Sequence, residues 1–189
     1  DCLADAGFTG FGSSVSECAA GTFKASALSS EPCTNCDAGK FGSSLGTTAC
    51  IDCEVGKHKN FTGGTSANSC SDCDLGKYSN FSGSTSCLTC PAGLSVTGTG
   101  SDQLSDCIAC ATGRYSSATD TTCIDCVAGQ YSTAVSPAND AVSDCIACIA
   151  GKYFTQAAQS SDVCIICPAG KSVNATGSDQ LSDCVACAT

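Results

Sequence analysis

The chain has 189 residues, a formal net charge of −10 and 20 cysteines, with no Trp and no Met. Leu, Ile, Val and Phe together make 31 residues, below the ~20% share that accompanies a packed apolar core, while cysteine exceeds the ~8–10% that marks a disulfide scaffold. These figures argue against an enzyme fold with one apolar interior. No uncharged apolar run approaches the ~18 residues of a membrane span, and the acidity argues against a nucleic-acid partner, whose phosphates need clustered Lys and Arg.

In chain order, residues 1–17 form an atypical Gly/Ser-rich lead-in (AGFTGFGSS), read as a cap or docking segment. From residue 18 to 189 the cysteines fall into a period. Nine C-x-x-C pairs begin at Cys33, Cys50, Cys70, Cys87, Cys107, Cys123, Cys145, Cys164 and Cys184, so successive starts lie 16 to 22 residues apart. Cys18 stands as the second cysteine of a degenerate pair whose first position holds Val15, and the last repeat is incomplete. Internal repetition at such a period indicates a quasi-one-dimensional array in which each repeat meets mainly its neighbours.

Counting from the second cysteine, the +3 position is glycine in all nine repeats from Gly21 to Gly170. Glycine in so fixed a place points to positive φ or to a close backbone approach. At +5 stand Phe23, Phe41, Tyr78, Tyr115, Tyr131 and Tyr153, with His58 replacing the ring once and Ser95 and Ser172 twice. At +4 stand Lys40, Lys57, Lys77, Arg114, Lys152 and Lys171. The G-[KRQ]-[YF]-S stretch reads as a turn and a short strand, and S-D-C-x-x-C as the returning strand. Segments 87–110 and 164–187 agree at 18 of 24 positions, which indicates duplication of a four-repeat block. The expected fold is a small disulfide-rich protein, an elongated linear array of short β-hairpin-like repeats with little regular secondary structure.

Three chemistries use C-x-x-C. Zinc ribbons pair two motifs around a tetrahedral ion, catalytic dithiols use one motif with a lowered thiol pKa, and structural disulfides need an oxidising compartment. Nine tandem motifs, an even cysteine count and a weak apolar interior favour the last. Counting does not fix connectivity, but cysteines two residues apart seldom form a structural bond with each other. The regular alternative is Cys18–Cys33, Cys36–Cys50, Cys53–Cys70, Cys73–Cys87, Cys90–Cys107, Cys110–Cys123, Cys126–Cys145, Cys148–Cys164 and Cys167–Cys184. Each bond closing such a loop contributes roughly 3 kcal/mol by restricting the unfolded chain. Cys2 and Cys187 are left over, as candidates for an intermolecular bond between successive copies. Alternatively, Cys2 pairs locally with Cys18 and shifts the frame.

The tandem C-x-x-C-x-x-G-[KRQ]-[YF]-S units resemble the ephrin-receptor-like cysteine-rich repeat over residues 18 to 187, and the first disulfide loop of tumour-necrosis-factor-receptor cysteine-rich domains. The ligand-binding modules of that receptor family carry a second, interlocked disulfide pair, which this chain lacks. The resemblance implies an extracellular or cell-surface protein. Arrays like it also occur in surface coats, ciliate immobilisation antigens and the flagellar hairs of protists and algae.

Three N-x-[ST] sequons, at Asn60, Asn80 and Asn174, all fall at +7, where other repeats carry Ser43, Thr97, Ser117, Thr133 and Thr155. One repeat position is thus almost always glycan-capable, as expected of an outward-facing turn. The asparagines are read as N-glycosylation sites and the hydroxyl residues as candidate O-glycosylation sites. His58, the sole histidine, fills the ring slot, so no catalytic set can be built around it, and no calcium or phosphate loop is present. No cofactor and no metal are expected.

The combined reading is a non-enzymatic structural subunit of an extracellular glycoprotein filament or cell-surface coat, partnered with itself head to tail. Heterologous contacts that do not close into rings give filaments. Phe8 and Phe11, off the repeat register, are the candidate docking residues. The competing reading is a ligand-binding or adhesive receptor-like ectodomain.

Overall fold

The computed structural model describes residues 3–133, 139–160 and 163–187. They build ten two-stranded sheets, each strand two residues long, with no regular α-helix among the described residues. Two compact units are formed. One takes the chain up to Leu88 together with Gly98–Asp106, and the other takes Thr89–Thr97 together with the chain from Cys107 onward.

Each repeat is taken to begin at the second cysteine of a pair. Its +4 and +5 residues form a strand that pairs antiparallel with the two residues inside the next C-x-x-C, as Lys40–Phe41 does with Ile51–Asp52 and Gln130–Tyr131 with Ile146–Ala147. A tight turn leads into the first strand. In one example the Lys40 N–H donates to the Asp37 carbonyl at 3.1 Å, and Gly39 takes φ +82°. A turn whose third residue needs positive φ is the place for glycine, which accounts for the invariant +3 row.

Nine disulfides join Cys18–Cys33, Cys36–Cys50, Cys53–Cys70, Cys73–Cys87, Cys90–Cys107, Cys110–Cys123, Cys126–Cys145, Cys148–Cys164 and Cys167–Cys184. Every bond therefore lies within one repeat and closes its loop, with sequence separations from 13 to 19. The longer loops place their extra residues in single 3-10 turns, Ala67–Ser69, Leu104–Asp106, Val142–Asp144 and Leu181–Asp183. The aspartate of S-D-C ends three of these turns. Its carboxylate accepts backbone N–H bonds from residues just before the turn, Gln103 to Asp106 at 3.1 Å, Ala141 to Asp144 at 2.9 Å and Gln180 to Asp183 at 3.1 Å.

The interior is sulfur rather than hydrocarbon. The second cysteine of every pair from Cys18 to Cys167 is buried. Beside these sulfurs runs a column of +6 residues, among them Lys59, Ser79, Val96, Ser116, Ser132 and Val173, also buried. The +5 rings cover the disulfides. Phe41 packs with Cys53 and Cys70, and Tyr153 against Cys167, Val173 and Cys184.

Within each unit, backbone bonds stitch one repeat to the next. The +3 N–H donates to the following repeat's +6 carbonyl, Gly21 to Gly42 and Gly129 to Phe154, both at 2.8 Å. A second cysteine's N–H returns to the +3 carbonyl behind it, Cys36 to Gly21 and Cys148 to Gly129, also at 2.8 Å. A loop residue at +10 then donates to the second cysteine of the preceding repeat, Gly63 to Cys36 at 2.7 Å and Gly177 to Cys148 at 2.8 Å. The carbonyl of that loop residue sits over the +3 glycine two repeats back. A Cβ on Gly21 would lie 2.6 Å from the Gly63 oxygen, and Gly129 faces Gly177 in the same way. Only glycine admits so close a backbone.

The lead-in follows the same plan without sulfur. Phe8–Thr9 pairs with Ser16–Glu17, and Cys18 donates to the Gly7 carbonyl at 2.8 Å. Buried Ala4 and exposed Val15 align with the two cysteine positions of a repeat. Phe8 is half-buried in this hairpin, while Phe11 is exposed and bridges to Leu3.

Candidate functional site

Each hairpin carries two cross-strand pairs. The +4 residue faces the second residue inside the next C-x-x-C, which sets Lys40 against Asp52, Lys57 against Asp72 and Arg114 against Asp125, all three in ion pairs. The Arg114–Asp125 contact is 2.6 Å. The +5 residue faces the first, which pairs Phe41 with Ile51, Tyr115 with Ile124, Tyr131 with Ile146 and Tyr153 with Ile165.

Between one repeat and the next lies a small recess whose walls recur in register. In the first unit one recess, about 240 Å³, is bounded by Phe23, Ala25, Asp37 and Lys40, with Thr48 to Cys50 closing it. A second, about 170 Å³, is bounded by His58, Asn60, Asp74 and Lys77, with Thr85 to Cys87. In the second unit Ser95, Thr97, Ala111 and Arg114 bound one of about 260 Å³, with Thr122 and Cys123. Each recess thus takes a +5 and a +7 residue from one repeat and a +1 and a +4 residue from the next.

The +7 residue, Ala25, Asn60 or Thr97, is one wall of each of these three recesses. Asn60, Asn80 and Asn174 are exposed, as are Ser43, Thr97, Thr133 and Thr155. Ser117 is half-buried and differs from the others. Its hydroxyl and N–H both donate to the Asp120 carboxylate at 2.7 Å, and these bonds, the hydroxyl's first, hold that carboxyl below the usual carboxylate range.

The turns that present Asn60 and Asn80 are braced from the buried +6 column. The Lys59 ammonium donates to the Phe61 carbonyl and lies 4.2 Å from the centre of the Phe61 ring. In the next repeat the Ser79 hydroxyl donates to the Phe81 carbonyl at 3.2 Å, and that of Ser84 to the same oxygen at 2.8 Å. Burial pushes the Lys59 ammonium below the ordinary lysine range, because a desolvated cation is disfavoured. Lys24, in the same column, donates to the Ser29 carbonyl at 2.7 Å and to that of Ala4 at 3.4 Å.

His58 Nδ1 lies 3.4 Å from Cys87 Sγ, and His58, Cys73 and Cys87 cluster closely enough to suit a metal. The two sulfurs are bonded to each other, so the oxidised protein offers no thiolate there. Cys187 is exposed and free, with its N–H on the Gly170 carbonyl at 2.9 Å, the bond its counterparts make. Cys2 lies outside the described residues.

Three features escape a reading of the cysteine period alone. They are the +10 loop row (Gly46, Gly63, Gly83, Gly100, Gly177), the buried lysines Lys24 and Lys59, and the aliphatic residues at the first position inside C-x-x-C. The last are exposed at Ile51, Leu88, Ile108, Ile124, Ile146, Ile165 and Val185. The first and third rows are visible in the sequence once the alignment is extended past +7 and into the pair.

Serial disulfide loops joined by two-residue strands define a cysteine-rich repeat array. The model of the family described as tyrosine-protein kinase ephrin type A/B receptor-like matches residues 21–70 and 62–107. A comparison with curated proteins finds no match. Such domains, and disulfides in this number, are typical of extracellular proteins. Among the described residues no helix is long and apolar enough to cross a membrane.

Proposed function

We propose that the chain is a non-enzymatic, extracellular structural glycoprotein that builds a filament or cell-surface coat, joined to further copies head to tail. The observation that carries this reading is the covalent path along the array. Because every disulfide closes its own repeat, the shortest bonded route from one repeat to the next crosses a disulfide and one C-x-x-C. The disulfide step spans only 5.5 to 5.8 Å between Cα atoms. The loops, with separations of 13 to 19, lie off that route and cannot be pulled out. Each would otherwise release about 50 Å of extended chain, at ~3.5 Å per residue. An array so built resists extension, which suits a filament or coat.

The exposed sequons fit the same role. At each, the amide nitrogen of asparagine would take the anomeric carbon of a diphosphate-activated sugar, releasing the diphosphate and a proton. Cys187 supplies an accessible thiol for a bond to another copy. A second reading, a ligand-binding or adhesive ectodomain, draws on the exposed aliphatic row, since contiguous apolar surface marks interaction sites.

Imaging and sedimentation of the secreted, oxidised protein separate the two. Filaments, with a ladder on non-reducing gels that collapses with reductant, are the expected result. Dispersed monomers that capture a ligand would overturn the filament reading in favour of the ectodomain.

A further inference from the structure

We propose that the innermost N-acetylhexosamine of a glycan on Asn60 folds back into the recess beside it, stacking on His58 and bonding to Asp74 and Lys77 of the next repeat. The inference rests on the reading that these sequons are glycosylated, and adds to it a site and a conformation.

The argument begins with extended-chain geometry. Side chains two residues apart on extended backbone project to the same side, so the +5 ring and the +7 asparagine share a face. His58 and Asn60 do line one recess. Its volume, about 170 Å³, suits a single sugar ring. Its walls mix a ring with hydroxyls and charges, the combination that a pyranose needs, with its apolar C–H face and its peripheral hydroxyls.

Polar capacity is left over there. Lys40 and Lys57 are held by Asp52 and Asp72, whereas the Lys77 ammonium forms no ion pair among the described residues. It can donate to sugar hydroxyls, and the Asp74 carboxylate can accept from them. Thr85 and Ser86 add hydroxyls on the same wall. The turn that carries Asn60 is already fixed by the bond from Lys59 to the Phe61 carbonyl, so little conformational freedom is lost when the sugar seats. Asn174 is a built-in contrast, because the residue two before it is Ser172, which offers no ring.

The test uses the full oxidised chain secreted from a glycosylating host, in two states. In one, an endoglycosidase leaves a single N-acetylglucosamine on each site. In the other, an amidase removes all sugar and leaves aspartate. Occupancy at Asn60 is first read by mass spectrometry, and amide hydrogen exchange is then followed at residues 85–87. The one-sugar form should exchange about tenfold more slowly there than the stripped form, the effect of one or two net hydrogen bonds. Lys77→Ala and Asp74→Ala should each erase that difference. The repeat that carries Asn174 should show no difference. Equal exchange at 85–87 with Asn60 occupied overturns the seating while leaving glycosylation intact. An unmodified Asn60 overturns the glycosylation reading and the seating with it.

Discussion

The two compact units are built on one frame and coated differently. Inside the C-x-x-C pairs lying wholly in the first unit the residues are Thr34-Asn35, Ile51-Asp52 and Ser71-Asp72, while Leu88-Thr89 falls at the boundary. In the second they are Ile108-Ala109, Ile124-Asp125, Ile146-Ala147, Ile165-Ile166 and Val185-Ala186. Among the described residues the first unit shows the pairs Lys40–Asp52 and Lys57–Asp72 and the exposed sequons at Asn60 and Asn80, and the second shows the pair Arg114–Asp125 and the sequon at Asn174. Yet disulfide pattern, hairpin register and inter-repeat bonds are the same in both. The frame is set by sulfur and backbone, which leaves the coat free to change along the chain, more polar in one part and more aliphatic in the other.

If frame and coat are independent, the largest effects must come from sulfur and be equal in the two units. Replacing Cys53 and Cys70 by serine, or Cys167 and Cys184, should each lower stability by about 3 kcal/mol, read by denaturant titration. Unequal losses would tie the frame to its coat. In the other direction, Ala4→Cys with Val15→Cys should form a tenth disulfide, seen as the loss of two mass units. It should raise the stability of the first unit by about 3 kcal/mol.

Glycine substitutions come next. Gly39→Ala in the first unit places a Cβ against the Gly83 carbonyl, whereas Gly151→Ala in the second meets no atom within 4 Å. Both incur the ~1–2 kcal/mol of a left-handed conformation, so Gly39→Ala should be the more damaging in melting experiments. Equal losses would mean that the contact two repeats along contributes nothing.

A smaller effect distinguishes the units by pH. Because burial lowers the Lys59 pKa in the folded chain, the unfolded chain binds that proton more readily. The group therefore weakens the folded state at neutral pH, and stability rises as pH climbs from the folded value to the ordinary lysine value. Lys59→Ser should abolish that rise, measured with Cys187 alkylated to block exchange. Smallest of all, Lys57→Ala should change stability by under ~1 kcal/mol, as exposed ion pairs do.

Much of the frame was legible in the residues. The invariant +3 glycines marked the turns, the +5 rings marked the strands, and the spacing of the pairs marked serial loops. The +10 row was hidden because Leu28, Asp120, Ser136 and Ala158 interrupt its glycines in the sequence, although Leu28 and Ala158 still adopt positive φ. Burial of Lys24 and Lys59 contradicts the ordinary preference of lysine for solvent, and only the carbonyls gathered by folded turns explain it. The 3-10 turns are too short to leave a helical period. The lead-in looked irregular because its sulfur positions hold alanine and valine, which conceals a hairpin of the same register.

Within each unit, the approach of a +10 loop to a glycine two repeats back sets a minimum length. A piece with fewer than three repeats completes none of these contacts, however many of its sulfurs are oxidised. Beyond three, any whole repeat presents the same glycine and the same loop to whatever neighbours it acquires. Copying or losing whole repeats then re-forms every join, whereas a cut within one does not. Variants of differing length, such as the near-identical segments 87–110 and 164–187 could generate by unequal recombination, would fold alike and differ only in reach.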